Sequence, residues 1–187
     1  VSRGLGDVYK RQEVEPGDIF VCTQGVTTDR HDFIDEAIKN GASALVVSRD
    51  VQSTVPIIKV ENTNRELPLL ASRFYDHPEK KLKLLAVTGT NGKTTVASII
   101  QDLLGKNCCG YLGTNGIICS KFNEPIVNTT PDSDRLYGYF QRFVDSGCKY
   151  LSIETSSEAY FRHRLDHLEF EAVSYTHLRA HETLANL

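Results

Sequence analysis

The chain has 187 residues, 40% of them hydrophobic and 24% charged, with a formal net charge of −3. That balance supports a packed core in one large domain or two small ones, and it points away from a broad nucleic-acid-binding surface. The longest apolar runs, such as Ala44–Val47, are strand-sized, so no membrane insertion is expected.

In chain order, residues 17–23 read as a short strand and 31–42 as a helix with Phe33, Ile34, Ala37 and Ile38 on one face, stopped by Asn40-Gly41. Strands are expected at 43–48 and 56–60, then a helix over 64–78 with Asn64 as its cap and Pro68 early enough to be tolerated. A polar seam at 79–83 separates this first alternation from a second. The second has strands at 84–87, 109–112 and 148–154, helices at 94–104, 132–147 and 156–165, and a last strand starting at 168–173. Repeated strand–helix–strand units give an α/β fold with a mostly parallel sheet and helices on both faces.

Five cysteines (Cys22, Cys108, Cys109, Cys119 and Cys148) are odd in number and lack C-x-x-C spacing, so they read as buried reduced thiols. His163 and His167 are four residues apart without an H-E-x-x-H pattern, and no zinc site is expected. Residues 1–12 and 174–187 carry no clear amphipathic period. Both resemble translated adaptor sequence and read as non-native tails, which would make the chain a truncated fragment.

The stretch "VTGTNGKTT" (87–95) joins an apolar strand to a helix. Gly89 and Gly92 allow backbone N–H groups to turn toward phosphate oxygens without a Cβ in the way, and the helix start adds its positive end. Lys93 supplies a mobile cation for the phosphates of ATP, and the Thr94 hydroxyl suits Mg2+. The loop is shorter than G-x-x-x-x-G-K-[ST], since Val87 stands where that pattern needs its first glycine.

The run Gly89, Thr90, Asn91, Gly92, Lys93, Thr94, Thr95 resembles the ATP loop of the Mur ligases. Two further segments resemble the MurE type: Asn128-Thr129-Thr130-Pro131, and a strand ending in Glu154 followed by Ser156-Ser157. Residues 17–47 resemble the UDP-binding domain of that family, with Arg30 where glycine is common and Glu158 where many members have histidine.

The resemblance implies a UDP-substrate domain over 13–80 and a P-loop ATPase domain, truncated, over 81–173. It implies an ATP-dependent amide ligase that adds the third amino acid to UDP-MurNAc-L-Ala-D-Glu through an acyl phosphate during bacterial peptidoglycan synthesis. Lys93 and Glu154 would be catalytic, with Thr94 and Glu154 holding Mg2+ and residues 89–95 binding ATP. Thr27, Thr28, Asn128, Thr129, Thr130, Ser156, Arg162 and Arg164 would contact the UDP-MurNAc-dipeptide. The resemblance places the family's carbamoylated lysine, a further metal-binding histidine and the amino-acid-binding domain beyond residue 173. The chain as given is therefore expected to bind nucleotide without ligating. A cytoplasmic monomer with no nucleic-acid partner is expected. MurF, another Mur-type ligase, and a nucleotide-binding fragment without ligase activity are the alternatives.

Overall fold

The computed structural model describes residues 14–25 and 28–176. They form two compact units that divide between Ala71 and Ser72.

In the first unit, β1 (Ile19–Val21), β2 (Ala44–Val47) and β3 (Ile57–Lys59) form a parallel sheet in that order. Alternate residues of a strand point to opposite faces, and the packing follows that period. Phe20, Leu45 and Val47 join Ile34 and Ala37 of α1 (Ile34–Lys39) in one cluster. Val21 and Val46 pack with Leu67 of α2 (Thr63–Phe74) in another.

Three helices differ from the sequence reading. The helix expected over 31–42 is a 3₁₀ turn, Arg30–Phe33, followed by α1. Helix α2 begins at Thr63, and its cap is Asn62, whose Oδ1 accepts from the Asn64 and Arg65 amides at 2.9 and 3.2 Å. Asn64 is instead diverted sideways to the Gln24 backbone, accepting from its N–H at 2.9 Å and donating to its carbonyl at 2.8 Å. The same helix stops at Phe74 because Asp76 and His77, just before Pro78, take left-handed φ values of 57° and 54°. The helix expected over 156–165 is only α5 (Ser157–Phe161), with His163 left-handed at φ 60°.

The second unit has a six-stranded sheet built from β4 (Lys83–Thr88), β5 (Cys109–Gly113), β6 (Gly116–Ile118), β7 (Asn123–Glu124), β8 (Tyr150–Glu154) and β9 (Phe170–Tyr175). Its order is β7-β6-β5-β8-β4-β9, with β5, β8, β4 and β9 parallel and β6 and β7 antiparallel. The sequence pattern assigns neither β6 nor β7, each too short to show a period. Strand β9 continues through Ser174 and Tyr175, paired with Val87 and Thr88, two residues beyond the expected end; backbone pairing needs no particular side chain there.

Helix α3 (Lys93–Leu104) covers one face, where Ala97, Val96 and Ile100 pack on Val87 and Tyr111. Helix α4 (Ser133–Asp145) lies on the other, with Phe143 seated against Gly110. The carboxyl ends of β5, β8 and β4 therefore lie side by side, at the edge where open α/β sheets bind ligands.

Candidate nucleotide and metal site

The loop between β4 and α3 takes the shape its glycines permit. Gly89 and Gly92 have φ of 130° and 82°, values that a side chain would strain. Gly92 is the N-cap of α3, so the helix starts at Lys93. The Lys93 ammonium folds back and donates to the Gly89 carbonyl at 2.6 Å. Beside it, Thr176 donates from N to the Thr88 carbonyl at 2.9 Å, and its single Oγ1 proton is shared between the Thr88 carbonyl, at 3.1 Å, and the Asn91 carbonyl. Thr95 and Asn91 are exposed, while Thr90 is half-buried.

The end of β8 brings Glu154 to this loop. Its side chain is 0% exposed. The Thr94 hydroxyl donates to its Oε2 at 3.0 Å. The Thr114 hydroxyl donates to the same oxygen at 3.2 Å, and the Thr114 amide to Oε1 at 3.0 Å. The Tyr111 hydroxyl also donates to Oε1. Burial and then the neighbouring carboxylate push the Tyr111 phenol well above its ordinary range. A Cβ on Gly113 would collide with the Glu154 carboxylate, so glycine is required at that close approach.

Among the described residues, every hydrogen-bond partner of this carboxylate is a neutral group. A buried anion hydrogen-bonded by neutral groups alone is costly, which favours a cation beside it. Thr94 Oγ1 and Glu154 Oε2 are hard oxygen donors next to each other, and Mg2+ typically takes one or two protein oxygens with water and phosphate completing its shell. The residues present fit that ion. The described residues contain no group of three or more His, Cys, Asp or Glu side chains suited to a metal.

The segment expected to meet substrate is tied to the same strand end. Thr130 is buried and donates from Oγ1 to the Glu154 carbonyl at 2.9 Å, while accepting from the Ser156 amide at 3.2 Å. Thr129 reaches the Thr114 hydroxyl at 3.1 Å; since Thr114 gives its proton to Glu154, Thr129 is the donor. Asn128 is half-buried. Ser156 caps α5, accepting from the Ala159 amide at 3.2 Å.

The two arginines take different places. Arg162 pairs with Glu158 at 2.8 Å. Arg164 is buried, pairs through Nε with Asp132 at 2.6 Å, and donates from Nη1 to the Thr130 carbonyl at 2.9 Å. Thr28 is exposed in the first unit, its carbonyl accepting from the Gly25 amide at 2.9 Å. Thr27 lies outside the described residues, as do residues 1–13 and 177–187.

Tyr111, Gly113, Thr114 and Asp132 are site residues that the motif reading does not select. One signal for Thr114 is in the sequence: Gly-Thr-Asn-Gly occurs at 89–92 and again at 113–116, each time at the end of a strand of the second unit.

Comparison with known proteins adds an independent line. The Mur ligase middle domain profile matches residues 87–186, and the profile for the Mur ligase family, catalytic domain, matches 10–75. A UDP-N-acetylmuramoyl-L-alanyl-D-glutamate--2,6-diaminopimelate ligase of Clostridium perfringens is 38% identical over 95% of this chain and 39% of its own length. A ligase of the same name from Geobacillus thermodenitrificans is 37% identical over 89% of this chain and 35% of its own. The chain thus spans under two-fifths of these relatives. A solved structure with that ligase name superimposes with a TM-score of 0.79 at 24% identity, covering 98% of this chain and 39% of the other, a likeness of fold. A MurF ligase from Thermotoga maritima in complex with ADP gives a TM-score of 0.56 at 27% identity, covering 83% of this chain and 32% of the other.

Proposed function

The chain belongs to the Mur ligase family, and on that premise we propose that it carries the nucleotide-binding part of an ATP-dependent amide ligase of the MurE type. The reaction would pass the γ-phosphoryl of ATP to the D-glutamyl carboxylate of UDP-MurNAc-L-Ala-D-Glu, releasing ADP. The amine of the incoming amino acid would then attack the acyl carbon and expel phosphate. The names of the relatives favour 2,6-diaminopimelate as that amino acid.

Roles follow from the chemistry of the side chains. The backbone of Gly89–Thr95 and the start of α3 would receive the phosphates. Lys93 would leave the Gly89 carbonyl for the transferred phosphoryl oxygens. Thr94 and Glu154 would hold Mg2+, which when bound neutralises charge spreading over those oxygens. Asn128, Thr129, Ser156 and Arg162 are assigned to the dipeptide substrate, with Thr27 and Thr28 toward the uridine diphosphate. Thr130 and Arg164 would serve by holding the 128–130 segment in place. A UDP-sugar substrate and ATP assign the reaction to the bacterial cytoplasm, and a monomer suffices for it.

The observation that carries this reading is the Thr94 hydroxyl against the buried Glu154 carboxylate beside the glycine loop, whose hydrogen-bond partners among the described residues are all neutral. Calorimetry of Mg·ATP with the 187-residue chain tests it. Lys93→Ala is expected to abolish binding while the far-UV spectrum stays that of the parent. An unchanged affinity refutes the assignment of the loop.

A further inference from the structure

Glu154 has two oxygens, and the structure treats them differently. Oε1 is held by the Tyr111 hydroxyl and the Thr114 amide, both rooted in or just after β5. Tyr111 is itself fixed: its ring is fully buried between Val87 and Ala97, and its oxygen accepts from the Asn115 amide at 3.2 Å. The Thr114 amide cannot turn away without moving the chain at the end of β5, and the Tyr111 oxygen cannot leave Oε1 without moving its packed ring. Among the described residues, Oε2 is held only by the Thr94 and Thr114 hydroxyls, at 3.0 and 3.2 Å, and a threonine hydroxyl rotates freely to redirect its proton.

A metal bound by Thr94 would use a lone pair of Oγ1 and leave its proton free to rotate, so the contacts on Oε2 can be rearranged around an ion. That proton can swing away, whereas the contacts on Oε1 need not change. We infer that Tyr111 is a positioning residue for the cation site: with the Thr114 amide it locks Oε1, so that the carboxylate presents Oε2, and only Oε2, to the divalent cation. This rests on the nucleotide–metal reading of the site. It adds a residue at the core end of β5 to a centre otherwise composed of the loop and the end of β8.

The test is the Mg2+ dependence of ADP binding by the 187-residue chain, measured by calorimetry with and without the metal. Tyr111→Phe removes one oxygen and keeps the ring. It is expected to leave metal-free ADP affinity unchanged and to lose about tenfold of the Mg2+-dependent gain, the scale typical of groups that orient a metal ligand. Thr114→Val removes a donor from Oε2 and keeps the backbone amide on Oε1. It is expected to keep the gain within about threefold of the parent, below that tenfold scale.

A full Mg2+ gain in Tyr111→Phe overturns the inference and leaves the nucleotide site standing. An equal loss in both variants overturns the division between the two oxygens. A parent chain whose ADP affinity ignores Mg2+ overturns both the inference and the metal reading beneath it. The unmodified chain gives a second measurement should Tyr111→Phe fail to fold. Donated to a buried carboxylate, the Tyr111 hydroxyl proton is expected to be visible by proton NMR and to persist on adding Mg·ADP. Its disappearance on that addition overturns the inference.

Discussion

At the scale of single residues, the site turns on how one carboxylate is satisfied. Hydrogen bonds to a charged group contribute roughly 1.5–3 kcal/mol each, so four donors hold Glu154 as an acceptor at that strand end. Glu154→Gln separates the acceptor role from the charge. Its amide oxygen can replace Oε1 under Tyr111 and the Thr114 amide, and its NH2 can replace Oε2 once the two threonine hydroxyls rotate to accept. The variant is therefore expected to melt within a few degrees of the parent and to lose the Mg2+-dependent part of ADP affinity, read by circular dichroism and calorimetry. The place of Glu154 was legible in the sequence, because the carboxyl ends of parallel strands gather at one edge, beside the glycine loop. Tyr111 was not, because an aromatic residue in a buried strand reads as core, and its ring is core. Only its oxygen departs from that reading, and no period in the sequence reports an oxygen.

At the scale of elements, the strands and helices that carry the loop follow their hydrophobic periods, and two helix starts depart from ordinary capping for one cause. Polar side chains there bind other parts of the fold instead of their own helix. Asn64 goes to Gln24. Asp132, the N-cap of α4, makes no side-chain cap bond and reaches Arg164 instead. That arginine joins the start of α4, the Thr130 carbonyl and the turns after α5, where its own carbonyl accepts from Ser133 Oγ at 3.2 Å. Arg164→Ala removes the ion pair to Asp132 and leaves the Thr130 carbonyl without this donor. Urea unfolding is expected to show a loss of about 3 kcal/mol, as for breaking a mostly buried ion pair. Arg164→Lys should recover part of it, because it restores the charge without the planar fork. An alanine variant within about 0.5 kcal/mol of the parent would match a solvated surface arginine instead.

At the scale of the whole molecule, each unit has its own core, and the cysteines are divided between them. Cys22 belongs to the first unit and the other four to the second; all five are free thiols. Burial pushes the Cys22 and Cys148 thiols up to about 12 and Cys109 to about 11. A raised thiol pKa means that at pH 8 these three are almost wholly protonated and poor nucleophiles. Cys119 is also buried, whereas Cys108 is partly exposed. Iodoacetamide at pH 8 followed by peptide mass mapping should therefore label Cys108 first in the native chain and all five in denaturant. Labelling of Cys148 as fast as Cys108 would contradict the packing of the second unit. Among the described residues, no helix is long and apolar enough to cross a membrane.

Strand β9 has a consequence for how this unit opens. Among the described residues it pairs only with β4, so it is the outer strand on that side of the sheet. Thr176, the next residue, is bonded to the backbone of the glycine loop at Thr88 and Asn91. Peeling this margin away breaks one ladder and leaves β4 joined to β8. It also takes from the loop its contacts to Thr176. The loop and the outer strand should thus exchange their amide protons as one cooperative patch of low protection, while the β5–β8–β4 ladder stays closed beneath them.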